Sequence, residues 1–134
     1  MAYKTVLYIE DDPDSVVIME GALASAGGVR FCAATTGKEG LALAAKMQPE
    51  LIILDINLPD MNGYDVLAAL KGSGYTSVPV IAYTALASIE EKQRGMAAGF
   101  SAYLTKPLNI KEFISTVERL LAPRPHPSPP PKAG

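Results

Sequence analysis

Leu51-Ile52-Ile53-Leu54-Asp55 sets four consecutive large apolar residues directly before a carboxylate. Side chains alternate between the two faces of a β-strand, so this run is apolar on both sides of the pleat. Such a strand has to be covered on both faces, as a central strand of a parallel sheet is. Asp55 then stands where a buried strand emerges. Residues 6–9, 80–83 and 102–104 are further apolar runs of strand length, residues 29–34 also read as a strand, and helical periodicity separates them. Asp12-Pro13-Asp14 reads as a helix start: Asp12 caps, Pro13 suits the first turn, and Asp14 favours the positive end of the dipole. That helix is expected to run to about Ala26, with Gly27-Gly28 as its stop. Thr36-Gly37-Lys38-Glu39 and Ser88-Ile89-Glu90-Glu91 have capping-box spacing and open helices to about Met47 and Ala98, the latter stopped by Gly99. Residues 58–63 read as a loop and 64–70 as a helix. Asn109 begins a last helix whose apolar stripe includes Ile110, Phe113, Ile114 and Val117. Strands alternating with helices five times predict an α/β fold, a doubly wound five-stranded parallel sheet with helices on both faces.

Ligands of open parallel sheets bind beyond the carboxyl ends of the strands, where the strand order reverses. The runs here end at Glu10-Asp11, Asp55, Thr84 and, through Thr105, Lys106. Brought together, three carboxylates repel one another unless a cation compensates them. Oxygen donors without thiol or imidazole point to Mg²⁺, with Mn²⁺ as the alternative, rather than zinc. Lys106 offers a point charge to a phosphoryl oxygen, and the Thr84 hydroxyl offers a hydrogen bond to another. These are the parts of a phosphoryl-transfer site, in which a carboxylate can itself be the nucleophile. Asp55 is the best candidate, because it alone ends the strand that is buried on both faces. Asp12, Asp14, Asp60 and Asp65 read more simply as helix-start and loop acids.

Bulk properties narrow the function classes. A chain of 134 residues is long enough for one domain with a real core. The formal charge is −2 with Lys and Arg scattered, so no direct nucleic-acid partner is expected. The single cysteine, Cys32, allows no internal disulfide and reads as a small buried hydrophobe. No signal-peptide layout and no apolar stretch of membrane-span length occurs, which predicts a cytoplasmic protein without membrane contact. Composition changes at Pro123, so residues 1–122 are read as the domain and 123–134 as a proline-rich disordered tail or linker. Pro127-Ser128-Pro129-Pro130 is a weak PxxP pattern, and His126 lies in this tail, away from the expected chemistry.

Taken in order, Glu10-Asp11, Asp55 within Leu-Ile-Ile-Leu-Asp-Ile-Asn-Leu-Pro-Asp-Met-Asn-Gly, Thr84-Ala85 and Lys106-Pro107 resemble the receiver domain of two-component response regulators. The resemblance covers roughly residues 4–121 and implies the (βα)5 flavodoxin-like, CheY-like fold. It implies that Asp55 accepts a phosphoryl group from a sensor histidine kinase or a phosphotransfer protein. Asp11 would ligate the metal directly, Glu10 through water, and Asn57 through its backbone carbonyl. Glu10 departs from the more frequent Asp, which should alter the metal geometry modestly. Thr84 and Tyr103 would act as switch residues that remodel the face made by the fourth helix, fifth strand and fifth helix for a protein target. The Lys106-Pro107 bond is expected to be cis, and apolar Leu86 to slow hydrolysis. Gly95 costs the fourth helix about 1 kcal/mol relative to Ala and is expected to leave it loosely held. Such a protein is self-modifying rather than a turnover enzyme. A haloacid-dehalogenase-type aspartyl phosphatase is the alternative, but Asn57 stands where that class needs a second Asp. A nucleotide or flavin binder would need a glycine-rich phosphate cradle that this sequence lacks.

Overall fold

The computed structural model describes residues 3–74 and 77–121, so the proline-rich stretch 123–134, with His126, lies outside the described residues. Strands and helices alternate as β1 (Lys4–Ile9), α1 (Pro13–Ala24), β2 (Val29–Ala34), α2 (Gly37–Met47), β3 (Leu51–Leu54), α3 (Gly63–Gly72), β4 (Val80–Thr84), α4 (Ile89–Ala98), β5 (Ala102–Thr105) and α5 (Ile110–Leu121). The strands form one five-stranded sheet, in the order β2-β1-β3-β4-β5, and every pairing is parallel. This is the expected doubly wound α/β architecture. β3 occupies the middle and is buried along its whole length.

Alternation along the strands divides the core in two. Leu51 and Ile53 of β3 join Val6, Tyr8, Ile81 and Tyr83 in a cluster closed by Met19 and Leu23 of α1 and by Phe113 and Val117 of α5. Ile52 and Leu54 join Leu7, Ile9 and Val80 in a second cluster closed by Ala44 of α2 and by Val66, Leu67 and Leu70 of α3. Each fully buried Leu or Ile contributes on the order of 1.5–3 kcal/mol, and β1 and β4 are buried on both faces as β3 is, against the expectation that the strand before Asp55 alone would be. α4 is the exception among the helices: Gly95 is its one buried residue, while Ile89 and Met96 face outward.

The expected caps form. The side chains of Asp12, Thr36, Ser88 and Asn109 accept the N–H of Asp14 (3.2 Å), Glu39 (3.0 Å), Glu91 (3.1 Å) and Glu112 (3.0 Å). Glu39 completes its capping box one residue early, on the Thr35 N–H at 2.7 Å. α1 ends at Ala24, two residues before the sequence expectation, because the Ser25 hydroxyl and N–H both turn back to the Ala22 carbonyl. Gly27 and Gly28 then reverse the chain at φ of 70° and 64°. Cys32 is half-buried rather than buried, because β2 is an edge strand. Among the described residues no helix is long and apolar enough to cross a membrane.

Candidate functional site

β1 lies between β2 and β3, so the sheet reverses direction between β1 and β3, where ligands of such sheets bind. The two acidic strand ends flank that point. The ladder continues one residue past each strand: the Glu10 N–H donates to the Ala34 carbonyl (2.8 Å) and the Asp55 N–H to the Ile9 carbonyl (3.1 Å). These bonds carry the acids to the sheet edge in extended register. Carboxylate oxygens of Glu10, Asp11 and Asp55 all lie within 4.8 Å of one another.

Glu10 is 1% exposed and Asp55 6%, while Asp11 is exposed. Buried carboxylates are tolerated only when paired or hydrogen-bonded. Lys106, delivered by the end of β5, meets this need: its Nζ lies 2.6 Å from Glu10 Oε1 and 3.3 Å from Asp55 Oδ2. Its backbone N–H donates to the Thr84 carbonyl (2.8 Å), and the Lys106-Pro107 bond is cis, as expected. The other Glu10 oxygen accepts the N–H groups of Asp11 (3.1 Å) and Asp12 (3.3 Å). Burial lowers the affinity of Lys106 for its proton, but the hydrogen bond to Glu10 and the charges of Asp55 and Glu10 outweigh it, leaving the pKa raised. One ammonium among three carboxylates leaves the cluster strongly anionic. An all-oxygen donor set with excess negative charge fits a hard divalent cation such as Mg²⁺ or Mn²⁺.

The other sequence candidates surround this cluster. Thr84 is fully buried at the end of β4, and its hydroxyl accepts the Leu86 N–H at 3.4 Å. The Asn57 N–H donates to Asp55 Oδ1 (3.2 Å), and Asn57 pairs with Asn62 across the β3–α3 loop. Together with Asp11, residues 56–62 line a cavity of about 450 Å³ beside the carboxylates. Gly63 closes that loop; a Cβ there would sit 2.6 Å from Ile56 Cα and 2.8 Å from the Asp55 carbonyl, so only glycine fits. Tyr103 donates from its hydroxyl to the Leu86 carbonyl (2.7 Å), and burial first, then nearby Tyr64, Glu91 and Asp55, push its pKa up to about 12.

Tyr8 was not singled out in the sequence, and Asp60 and Gly95 make contacts that the sequence did not disclose. Tyr8, fully buried, donates its hydroxyl to Glu10 Oε1 at 3.0 Å. Its position two residues before Glu10, on the same side of the pleat, was the available signal. Asp60 spans to the start of α2 and accepts the N–H groups of Gly37 (2.7 Å) and Lys38 (3.0 Å), pinning the loop that carries Asn57. Those bonds hold its pKa below the ordinary carboxylate range. Gly95 lies directly under the Tyr103 ring; a methyl there would fall 2.5 Å from Tyr103 Cδ2. The sequence read this glycine as a sign of a loosely held helix, and the structure adds a packing reason for it.

A carboxylate cluster at the reversal point of a (βα)5 sheet, with a lysine lodged among the acids, defines a receiver-type fold and site. The chain belongs to the response regulator receiver domain family, whose pattern matches residues 6–118. It is 38% identical over 117 residues to the DNA-binding dual master transcriptional regulator RpaA of Synechocystis, covering 87% of this chain and 48% of that protein. It is 32% identical to an uncharacterized 14.6 kDa protein of Leptolyngbya boryana, covering 89% of this chain and 91% of that one. Among solved structures, the chemotaxis response regulator CheY4 of Vibrio cholerae matches with a TM-score of 0.81 at 32% identity, covering 90% of this chain and all of that one. A putative response regulator from Chloroflexus aurantiacus gives 0.82 at 31% identity, covering 90% and 99%. The chain spans about half the length of the curated transcriptional regulators that it matches. It is thus a receiver domain of the two-component kind, a family that takes phosphoryl groups from histidine kinases rather than one of turnover enzymes. Neither the family match nor these relatives support the haloacid-dehalogenase alternative.

Proposed function

We propose that Asp55 is the phosphoryl acceptor and that Glu10, Asp11 and Asp55 hold Mg²⁺, with the Asn57 carbonyl as a further ligand. The observation that supports this most directly is Lys106 Nζ bridging Glu10 and Asp55 where the two acidic strand ends meet. An Asp55 carboxylate oxygen attacks phosphorus, the bond from phosphorus to the donor histidine nitrogen breaks, and that nitrogen leaves with the electron pair. The metal supplies neutralisation of the charge that builds on the phosphoryl oxygens. Lys106 moves its Nζ from Asp55 to a phosphoryl oxygen, and the Thr84 hydroxyl gives up the Leu86 N–H to donate to another. The cavity lined by Asp11 and residues 56–62 opens next to the acceptor and is read as the side from which the donor approaches.

Tyr103 then reports the state of the site. Its hydroxyl is tied to the Leu86 carbonyl, two residues beyond Thr84, so a shift of Thr84 is felt through β5 and α4. The α4–β5–α5 face, with Ile89 and Met96 exposed, is read as the surface that a protein target recognises. The donor is a sensor histidine kinase or phosphotransfer protein in the cytoplasm. Residues 1–122 form the receiver, and 123–134 serve as a tail or linker. The test is incubation with acetyl phosphate or beryllofluoride and Mg²⁺, read by mass or NMR. Wild type should take up one group, which Asp55→Asn and omission of Mg²⁺ should abolish; uptake by Asp55→Asn would refute the assignment.

A further inference from the structure

We propose that Tyr8 is a positioning residue for the metal site, its buried hydroxyl fixing the Glu10 carboxylate in the one orientation that serves the ion. This rests on the reading that Glu10, Asp11 and Asp55 hold a divalent cation. Glutamate carries its carboxylate on one more rotatable bond than aspartate, so at a sheet edge it needs an anchor to be ordered. Tyr8 provides one from the rigid interior of the sheet. The ring is fully buried in the cluster shared with Ile53 and Tyr83, and its centroid lies 6.3 Å from that of Tyr83. The hydroxyl reaches out of that apolar setting to Glu10 Oε1 at 3.0 Å. A phenylalanine would fill the same space, so packing alone does not account for the hydroxyl; a buried phenol without a partner is costly.

The geometry also separates Tyr8 from the other donors to Glu10. Lys106 shares Oε1 but divides its ammonium with Asp55, and in the proposed transfer it serves a phosphoryl oxygen as well. The N–H groups of Asp11 and Asp12 fix Oε2 alone. Tyr8 therefore holds Oε1 without sharing its donor with Asp55 or with the phosphoryl group. Groups that orient a metal-binding carboxylate from behind are worth about 10-fold or more in metal affinity.

The experiment is a Mn²⁺ titration followed by the electron-spin-resonance signal of the free ion, on wild type, Asp11→Asn, Tyr8→Phe, Glu10→Asp and the Tyr8→Phe/Glu10→Asp double variant. Acetyl phosphate labelling against Mg²⁺ concentration accompanies it. Tyr8→Phe should weaken Mn²⁺ binding about tenfold. It should raise the half-saturating Mg²⁺ concentration while leaving the labelling rate at saturating Mg²⁺ unchanged. Glu10→Asp withdraws the carboxylate from the phenol, so in that background Tyr8→Phe should change affinity by less than about twofold. A general packing defect would not vanish in this way. If wild type binds Mn²⁺, Asp11→Asn does not, and Tyr8→Phe binds as tightly as wild type, the positioning role is overturned while the metal site stands. An undiminished Tyr8→Phe effect in the Glu10→Asp background overturns it equally. If wild type fails to bind, or Asp11→Asn binds unchanged, the metal reading falls and takes the positioning role with it.

Discussion

Lys106 divides one ammonium between two buried carboxylates, and the division governs both stability and reactivity. Its pKa is raised because the bond to Glu10 and the charges of Asp55 and Glu10 overcome the burial that works against the charged form. A group whose folded pKa lies above its unfolded value stabilises fully below the unfolded value and loses that contribution as pH rises through the folded one. For a lysine this window opens only above about pH 10.4. Lys106→Met should therefore cost a constant amount between pH 7 and 9, and the gap to wild type should narrow only above that range, as pH rises through the raised folded value. Leaving the buried Glu10 carboxylate without its cation costs about 3–5 kcal/mol. Urea unfolding in metal-free buffer at pH 7, 9 and 11 checks this; a gap that changes already between pH 7 and 9 would assign the effect to another group.

At the scale of elements, α4 and the β3–α3 loop are each held by one unusual contact. Glycine inside a helix costs about 1 kcal/mol relative to alanine, and α4 accepts that cost so that the Tyr103 ring can lie against it. Gly95→Ala should thus destabilise the wild-type chain, since the methyl meets the ring. In a Tyr103→Ala background the same change should stabilise by about 1 kcal/mol, because only helix propensity remains. Thermal unfolding of the four proteins reads this reversal of sign, and the same sign in both backgrounds would contradict the packing account. The β3–α3 loop depends on Asp60, whose depressed pKa means that its contribution is present at neutral pH and is lost as pH falls through the folded value. Wild type should show an acid-labile component below about pH 4, the ordinary aspartate range, that Asp60→Asn lacks. Unfolding midpoints measured from pH 6 to pH 3 separate the two. What the sequence disclosed at this scale follows from locality. The caps of α1, α2, α4 and α5 and the stop at Gly99 depend on residues within a turn of one another, and they could be read directly. Asp60 reaches α2 across 23 residues of chain, and the Tyr103 ring reaches Gly95 through a tertiary contact. No local pattern encodes either, so one looked like a loop acid and the other like a weak helix.

For the whole molecule, the double-sided burial of Leu51–Leu54 decided the architecture, because it required helices on both faces of the sheet. The meeting of Glu10, Asp11, Asp55 and Lys106 was legible for a related reason, since each follows a strand and parallel strands end together. The hydroxyl of Tyr8 was not, because pleat parity gives its side of the sheet but not its partner. The sheet also divides the molecule unequally. α1 and α5 close one core and α2 and α3 the other, whereas α4 contributes only Gly95 to the buried interior. A ligand at the strand ends that favours one arrangement of Thr84 and Tyr103 will therefore be felt most in the element with least packing to resist it. Beryllofluoride with Mg²⁺ at about 100 times its dissociation constant should stabilise wild type by about 2.7 kcal/mol, raising its thermal midpoint by on the order of 10 °C, and leave Asp55→Asn unmoved. Amide exchange under the same conditions should change in residues 84–105, which carry the end of β4, α4 and β5. It should stay constant in α2 and β2 on the far side of the sheet. Uniform slowing over all five helices would mean global stabilisation without a switch, and unchanged exchange in α4 would remove that helix from the output surface.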